Sequence, residues 1–233
     1  IAVTKASLTM PGEYKLEVNG KTKEETEKKD EVETENKVLV TTFKNYNVDI
    51  TTNFVVSGIS STTSSKGIID QVNQKEYLET TTSSFGFVVS TNKSYTDFKS
   101  GITYTSQPYS ENIWYKQQGT SQMVDLNVII KQINTMKNVT KIADNHYKIK
   151  LSGDNVSGLT DSANLDSSSL AGNVEVDVYI TNGYITKLEY DFSTMTNELS
   201  SMFESFTTTV LFSNYDNAGS VNIPNDVIKN AKS

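Results

Sequence analysis

From Tyr46 to Gln118 apolar and polar residues alternate with a period of two, the spacing of strands that have one covered face. In VDITTNFVVS this alternation puts Val48, Ile50, Phe54 and Val56 on one side. Short strands are expected to follow near Lys66–Thr82, Phe85–Thr91, Gly101–Ser106 and Asn112–Gln117, divided by Ser, Thr, Asn and Gly. The run ISSTTSS (Ile59–Ser65) reads either as a mobile loop or as a strand edge.

The period then changes. Met123, Leu126, Ile129, Ile130, Ile133, Met136 and Val139 recur at helical spacing after Ser121, a candidate N-cap, and predict an amphipathic helix over Gln122–Asn138. Its single apolar face calls for something flat and apolar beneath it, and a sheet is the candidate. Strand spacing returns at His146–Ser152, where Tyr147, Ile149 and Leu151 alternate with His146, Lys148 and Lys150. A polar loop is expected from Gly153 to Gly172.

The clearest hairpin joins NVEVDVYIT to GYITKLEYDFS. A two-residue Asn182-Gly183 turn would set Val178 against Lys187, an apolar face against a charged one. A three-residue loop Thr181-Asn182-Gly183 pairs Ile180 with Tyr184, Val178 with Thr186, Val176 with Leu188 and Val174 with Tyr190, so the faces agree, and this register is the one expected. Beyond it, Met195, Leu199, Met202, Phe203 and Phe206 stand at helical spacing, Thr207–Ser213 reads as a strand, and VNIPNDVIKNAKS reads as a strand edge closed at Pro224 with a short final helix.

At the other end, Gly20–Lys37 is nearly all charged or polar, with Val32 its one apolar residue. Glu24 with Lys28, Glu25 with Lys29 and Glu33 with Lys37 stand at i,i+4. An exposed helix is therefore expected, docked through Val32, Leu39, Phe43 and Tyr46, in preference to a strand at Lys37–Phe43. Residues 1–36 read as an N-terminal extension carrying this charged segment, and residues 37–233 as a single domain.

Composition narrows the chemistry. The chain has no Cys, so disulfides, thiolate metal sites and a cysteine nucleophile are excluded within it. All 21 basic residues are Lys, against 28 acids, for a net charge of −7. Nucleic acid is not expected as a partner, because a phosphate backbone is read by clustered cations and most specifically by Arg. There are 27 Ser, 29 Thr and 22 Asn, a composition associated with exported proteins of AT-rich Gram-positive bacteria. The chain opens at Ile1, without a charged start and apolar run, and is read as a mature or trimmed product. No apolar stretch is long enough to span a bilayer.

Candidate reactive groups are few. His146 is the sole histidine, and it stands beside Asp144 and Asn145 with no nucleophile in a recognisable frame; a surface histidine is expected. Asp154, Asp161 and Asp166 lack the ligand alternation of a calcium loop. Asn92, Asn138 and Asn155 head glycosylation acceptor triplets of the kind chance supplies in such a chain. Trp114 reads as core or cavity wall. No catalytic residue, metal or cofactor is expected.

The Trp-Tyr-Lys strand (Trp114–Lys116), the helix running into a lysine-rich turn (Met123–Lys141), HYKIKLSG (His146–Gly153), VEVDVYITNGYITKLEYDF (Val174–Phe192), FSNYDN (Phe212–Asn217) and VNIPNDVIKNA (Val221–Ala231) follow in one order. In this the chain from about Lys37 onward resembles the bacterial lipoproteins of the LolA-like half-barrel, including the LppX and LprG group and their Gram-positive relatives. Ile1–Asn19 has no counterpart there. The resemblance implies an α+β fold: a strongly curved antiparallel β-sheet, a half-barrel, with helices packed on its concave face and an apolar cavity that takes acyl chains. It also implies export to the cell surface and anchoring to the outer face of the cytoplasmic membrane by a lipid upstream of Ile1. Side chains whose alternation points them inward are the expected ligand contacts: Phe54 and Val56 on the early strand, Val176, Val178, Leu188 and Tyr190 on the late hairpin, Ile129 and Ile133 on the helix. A lipid-binding protein leads. A surface interaction or adhesion module with a filled interior follows, and an enzyme comes last.

Overall fold

A computed structural model describes residues 6–10, 13–18, 21–25, 39–118, 126–152, 173–192 and 203–233. Contacts divide the chain into two units, Ile1–Lys37 and Val38–Ser233. The first contains an antiparallel meander of β1 (Ala6–Met10), β2 (Glu13–Val18) and β3 (Lys21–Glu25). Lys21–Glu25 is thus a strand where a helix was expected. Its i,i+4 pairs are worth only a few tenths of a kcal/mol each, and the meander register sets Lys15 opposite Glu24 instead. The rest of the expected helix, residues 26–38, lies outside the described residues. Leu39–Lys44 forms neither helix nor strand, although Leu39 is buried.

The second unit is built on one large, curved, unclosed antiparallel sheet. Its strands are β4 (Asn45–Val56), β5 (Ile59–Asp70), β6 (Lys75–Ser84), β7 (Phe87–Asp97), β8 (Ile102–Gln107), β9 (Ser110–Gln118), β10 (Val139–Ala143), β11 (His146–Ser152), β12 (Asn173–Thr181), β13 (Tyr184–Asp191) and β14 (Ser205–Ser213). They run across the sheet in the order β10-β11-β12-β13-β14-β4-β5-β6-β7-β8-β9. Two helices are described, α1 (Leu126–Thr135) and α2 (Asn225–Asn230).

Several boundaries differ from expectation for local reasons. Lys66–Thr82 is two strands, because Asp70 accepts hydrogen bonds from the Asn73 backbone N–H (3.0 Å) and Nδ2 (2.7 Å) and folds residues 71–74 into a turn that lacks Gly and Pro. Ile59–Ser65 is an interior strand, hydrogen-bonded to β4 and β6, and not a mobile loop. Helix α1 stops at Thr135, since Met136 and Asn138 take φ of 50° and 55°, and Val139 opens β10. Residues 122–125 of the expected helix lie outside the described residues, as do 193–202 of the later one. Phe206, assigned to that later helix by spacing, sits in β14. Val221–Ile223 forms no strand, and the short final helix is α2.

Hairpin β12–β13 uses the two-residue turn and not the three-residue loop. Asn182 and Gly183 have φ of 53° and 82°, and pair Thr181 with Tyr184 and Ile180 with Ile185. The register then shifts between Tyr179 and Ile180, leaving Thr186 as the extra residue, so Val178 faces Leu188 and Val176 faces Tyr190. The bulge restores the agreement of faces that the tight turn alone would break.

The two helices lie on opposite faces of the sheet, which corrects the expectation of helices gathered on one side. The register links Val178, Leu188, Val210 and Ile50 in one row, and α1 buries Leu126, Ile129, Ile130 and Ile133 in that same cluster. Tyr95 and Tyr104, paired across β7 and β8, project from the other face with Trp114, and there α2 seats Val227. Trp114 is therefore core of a second, smaller cluster. Lys232 exchanges backbone hydrogen bonds with Trp114 and Lys116 (2.9 and 2.7 Å), covering part of the β9 edge.

Candidate functional site

On the α1 face, six of the eight expected contact residues meet in one apolar cluster. Ile129, Ile133, Val176, Val178, Leu188 and Tyr190 pack with Ile149, Leu151, Val210 and Phe212. Val176, Val178 and Leu188 have 0% of their surface exposed, so no water-sized space touches them. Burial pushes the Tyr190 phenol far above its ordinary value. Phe54 stands at the margin, edge-on to Phe203 (6.0 Å) and Phe206 (6.4 Å). Val56 is the last residue of β4, half-buried and paired with Ile59, outside the cluster.

The same face changes character as the sheet crosses from β4 to β8. Following the register, Ile50 leads to Ser65 and Thr80, and Thr52 leads to Thr63 and Thr82. Hydroxyls bond to one another from strand to strand: Thr52 with Thr208 at 2.9 Å, Ser61 with Ser84 at 3.0 Å, Ser65 with Thr80 at 2.8 Å and Thr96 with Thr103 at 3.3 Å. Thr63, Ser65 and Thr96 are buried although polar. Such mutual pairing is what allows hydroxyls to leave water at small cost. Gly67 keeps this wall tight, for a Cβ there would strike the Tyr77 carbonyl oxygen.

Glu76 interrupts the hydroxyl wall. It pairs with Ile69 and Thr96, is 4% exposed, and its Oε2 has no hydrogen-bond partner among the described residues. Burial pushes its carboxyl up to about 8, which favours the neutral form at pH 7. Sequence reasoning missed it, because Glu76 and Glu79 fall on opposite faces of β6 and alternation alone does not say which is covered. Asp70, also buried, is its opposite: burial raises it, but donors from Asn73, Val221 and Val72 outweigh that and hold it below the usual carboxylate range.

On the other face of β11–β13 lies a surface network. His146 Nε2 is 2.8 Å from Asp177 Oδ1, Lys148 reaches Asp177 at 3.5 Å, and Lys150 reaches Glu175 at 3.3 Å. Tyr179 Oη donates to Glu189 Oε2 at 2.8 Å, and that bond first, with desolvation and nearby carboxylates, pushes the phenol up to about 12. His146 thus bonds to Asp177 and stacks on the Tyr179 ring. Among the described residues no group of three or more His, Asp and Glu side chains is placed to hold a metal ion, and no helix is long and apolar enough to cross a membrane. Asp154, Asp161, Asp166 and Asn155 lie outside the described residues.

No family model matches the chain, and no curated protein matches it. Among solved structures it is similar to the lipoprotein LppX of Mycobacterium tuberculosis, with 11% identity and a TM-score of 0.39, over 78% of this chain and 90% of that one. It is also similar to a beta-barrel-like protein of a domain of unknown function from Brucella abortus, with 7% identity and a TM-score of 0.37, over 74% of this chain and 100% of that one.

Proposed function

We propose that this protein is a non-enzymatic, extracytoplasmic binder of a lipid or other apolar molecule. The ligand lies on the α1 face where the aliphatic cluster gives way to the hydroxyl wall. The observation that carries the reading is that change of lining. Phe54 and Val56 offer half-buried apolar surface, while Ser61, Thr80 and Thr82 offer half-buried neutral hydroxyls beside it, backed by the buried Thr63 and Ser65. A hydrocarbon chain fits the first, and an uncharged oxygen-bearing end fits the second. Val176, Val178, Leu188, Tyr190, Ile129 and Ile133 then form the wall behind the ligand. As the sequence resemblance implies, the protein is exported and tethered by a lipid upstream of Ile1. Metabolic labelling of the native protein with a fatty acid tests that part.

Mass spectrometry of an organic extract of the purified protein tests the binding. A co-purifying lipid that is depleted in Thr80→Trp supports the reading. An extract without lipid, with no uptake of a fluorescent fatty acid, overturns it. The full burial of Val178 favours a second reading, an interaction module whose interior is filled by its own side chains. Val178→Trp separates the two: overpacking should cost about 1–3 kcal/mol in a filled core, and that cost together with a lipid-free extract puts the interaction module ahead.

A further inference from the structure

Three hairpins of the sheet turn through the same two left-handed positions. They are Ser57-Gly58 (φ 50° and 74°), Phe85-Gly86 (51° and 78°) and Asn182-Gly183 (53° and 82°). Asn and Gly suit such turns, whereas a bulky side chain at positive φ is strained. Phe85 accepts that strain for little packing, since 68% of it is exposed. It has company: Phe87 (75%), Val88 (57%), Val89 (49%) and Ile59 (40%) are exposed at the same end, where the Phe85 N–H bonds to the Ser60 carbonyl. Phe87 is the most exposed large apolar side chain among the described residues.

Charge is missing from the same place. Neither Ile50–Ser65 nor Thr80–Asn92 contains a charged residue, in a chain that is 21% charged. Among the described residues the carboxylate that reaches this end is Glu204, and its Oε1 accepts the Gly58 N–H at 2.7 Å. The opposite end of the same strands carries Asp70, Lys75, Asp97 and Lys99. The sheet therefore has one charged end and one predominantly apolar end, where Glu204 caps the β4–β5 turn.

We propose that the β4–β5 and β6–β7 hairpin tips insert into the interfacial region of a lipid bilayer, with Phe85 and Phe87 as the leading side chains. The geometry favours a bilayer over a second copy of this chain. Phe87 pairs with Ser84 and Val88 with Ser83, so the two project from opposite faces, and an apolar medium covers both where a docked strand covers neither. Strand β8 pairs with β7 over Ser94–Asp97, so Phe87–Ser90 lies beyond that pairing, and there the β6–β7 ladder is bulged at Val89, a feature that twists a strand away from strand addition. With no cation at the tip among the described residues and a net charge of −7, the attraction is apolar, so it needs no anionic lipid and withstands salt.

The test is flotation of the full chain with phosphatidylcholine vesicles at low and high salt, alongside Phe85→Asn and Phe85→Asn/Phe87→Thr. The proposal expects the unaltered chain to float at both salt concentrations and the double variant to lose at least tenfold in partitioning. The melting temperature of Phe85→Asn should be unchanged or raised, since Asn relieves the strained turn and a folding defect is thereby separated from a binding one. No flotation of the unaltered chain, or undiminished flotation of the double variant, overturns the proposal. So does a dimer in sedimentation that the double variant abolishes, which assigns the tip to a second copy. The interior ligand is independent of this outcome: a lipid-free extract from a chain that still floats removes the proposed cargo and leaves the insertion standing.

Discussion

The ring of His146 lies flat against that of Tyr179, with centroids 4.3 Å apart and planes 11° from parallel. The register sets His146, Tyr179 and Lys187 in one cross-strand row, and Lys187 Nζ stands 3.9 Å from the Tyr179 centroid on the next strand. This row braces the outer face of three strands whose inner face is apolar core. His146→Gln should therefore cost about 1 kcal/mol through the lost stacking and the lost bond to Asp177, and leave ligand or vesicle binding unchanged. Denaturant unfolding and the two binding assays check it. Loss of binding with a normal unfolding midpoint would return His146 to the list of functional groups.

Helix α1 meets the sheet through side chains that are almost wholly covered, Ile133 being 6% exposed. Ile133→Ala should cost about 2–5 kcal/mol by transfer and cavity terms together. A midpoint that does not move would show that this face is not core.

What was legible in the sequence was the alternation itself. Val48, Ile50 and Phe54 do share a face, and Leu126, Ile129, Ile130 and Ile133 do form one buried stripe, because periodicity reports directly on a covered side. Hairpin β12–β13 shows the limit. Agreement of faces excludes a regular two-residue register, yet the chain keeps the Asn182-Gly183 turn and corrects its register with a bulge at Thr186, which no period records. The hydroxyl wall was hidden for a related reason. ISSTTSS has Ser and Thr on both sides, so its inward face, Thr63 and Ser65, emerges only when β4 and β6 are laid beside it. Nor did alternation mark the tip, since Phe87, Val88 and Val89 are consecutive apolar residues and read as strand.

Gly67 offers a sharp test of how closely β5 and β6 approach. It pairs with Val48 on one side and Leu78 on the other, and a methyl group there meets backbone, which has no rotamer to yield. Gly67→Ala should destabilise by about 1–3 kcal/mol, whereas substitution of Gly219, where a Cβ meets open space at positive φ, should act only through local backbone strain. Thermal unfolding of the two variants side by side decides it.

Glu76 sets the last expectation, a dependence of stability on pH. Its carboxyl has an ordinary value of 4.5 and is pushed up to about 8 by burial, with Oε2 unpartnered among the described residues. Between those values the folded chain holds a proton that the unfolded chain has released. Stability from this group is thus fully present below about pH 4.5 and is lost as the pH rises through about 8, at up to about 1.4 kcal/mol per pH unit where the two states differ by one proton. Asp70 acts in the opposite sense, because its lowered value stabilises the fold above the ordinary range and loses that contribution on acidification. The two are separable by substitution. Glu76→Gln keeps the shape and removes the titration, so its melting temperature should fall less than that of the unaltered protein between pH 5 and pH 8, and should exceed it at pH 8. Parallel pH profiles for the two proteins would mean that Glu76 is solvated or partnered in solution and titrates as an ordinary carboxyl.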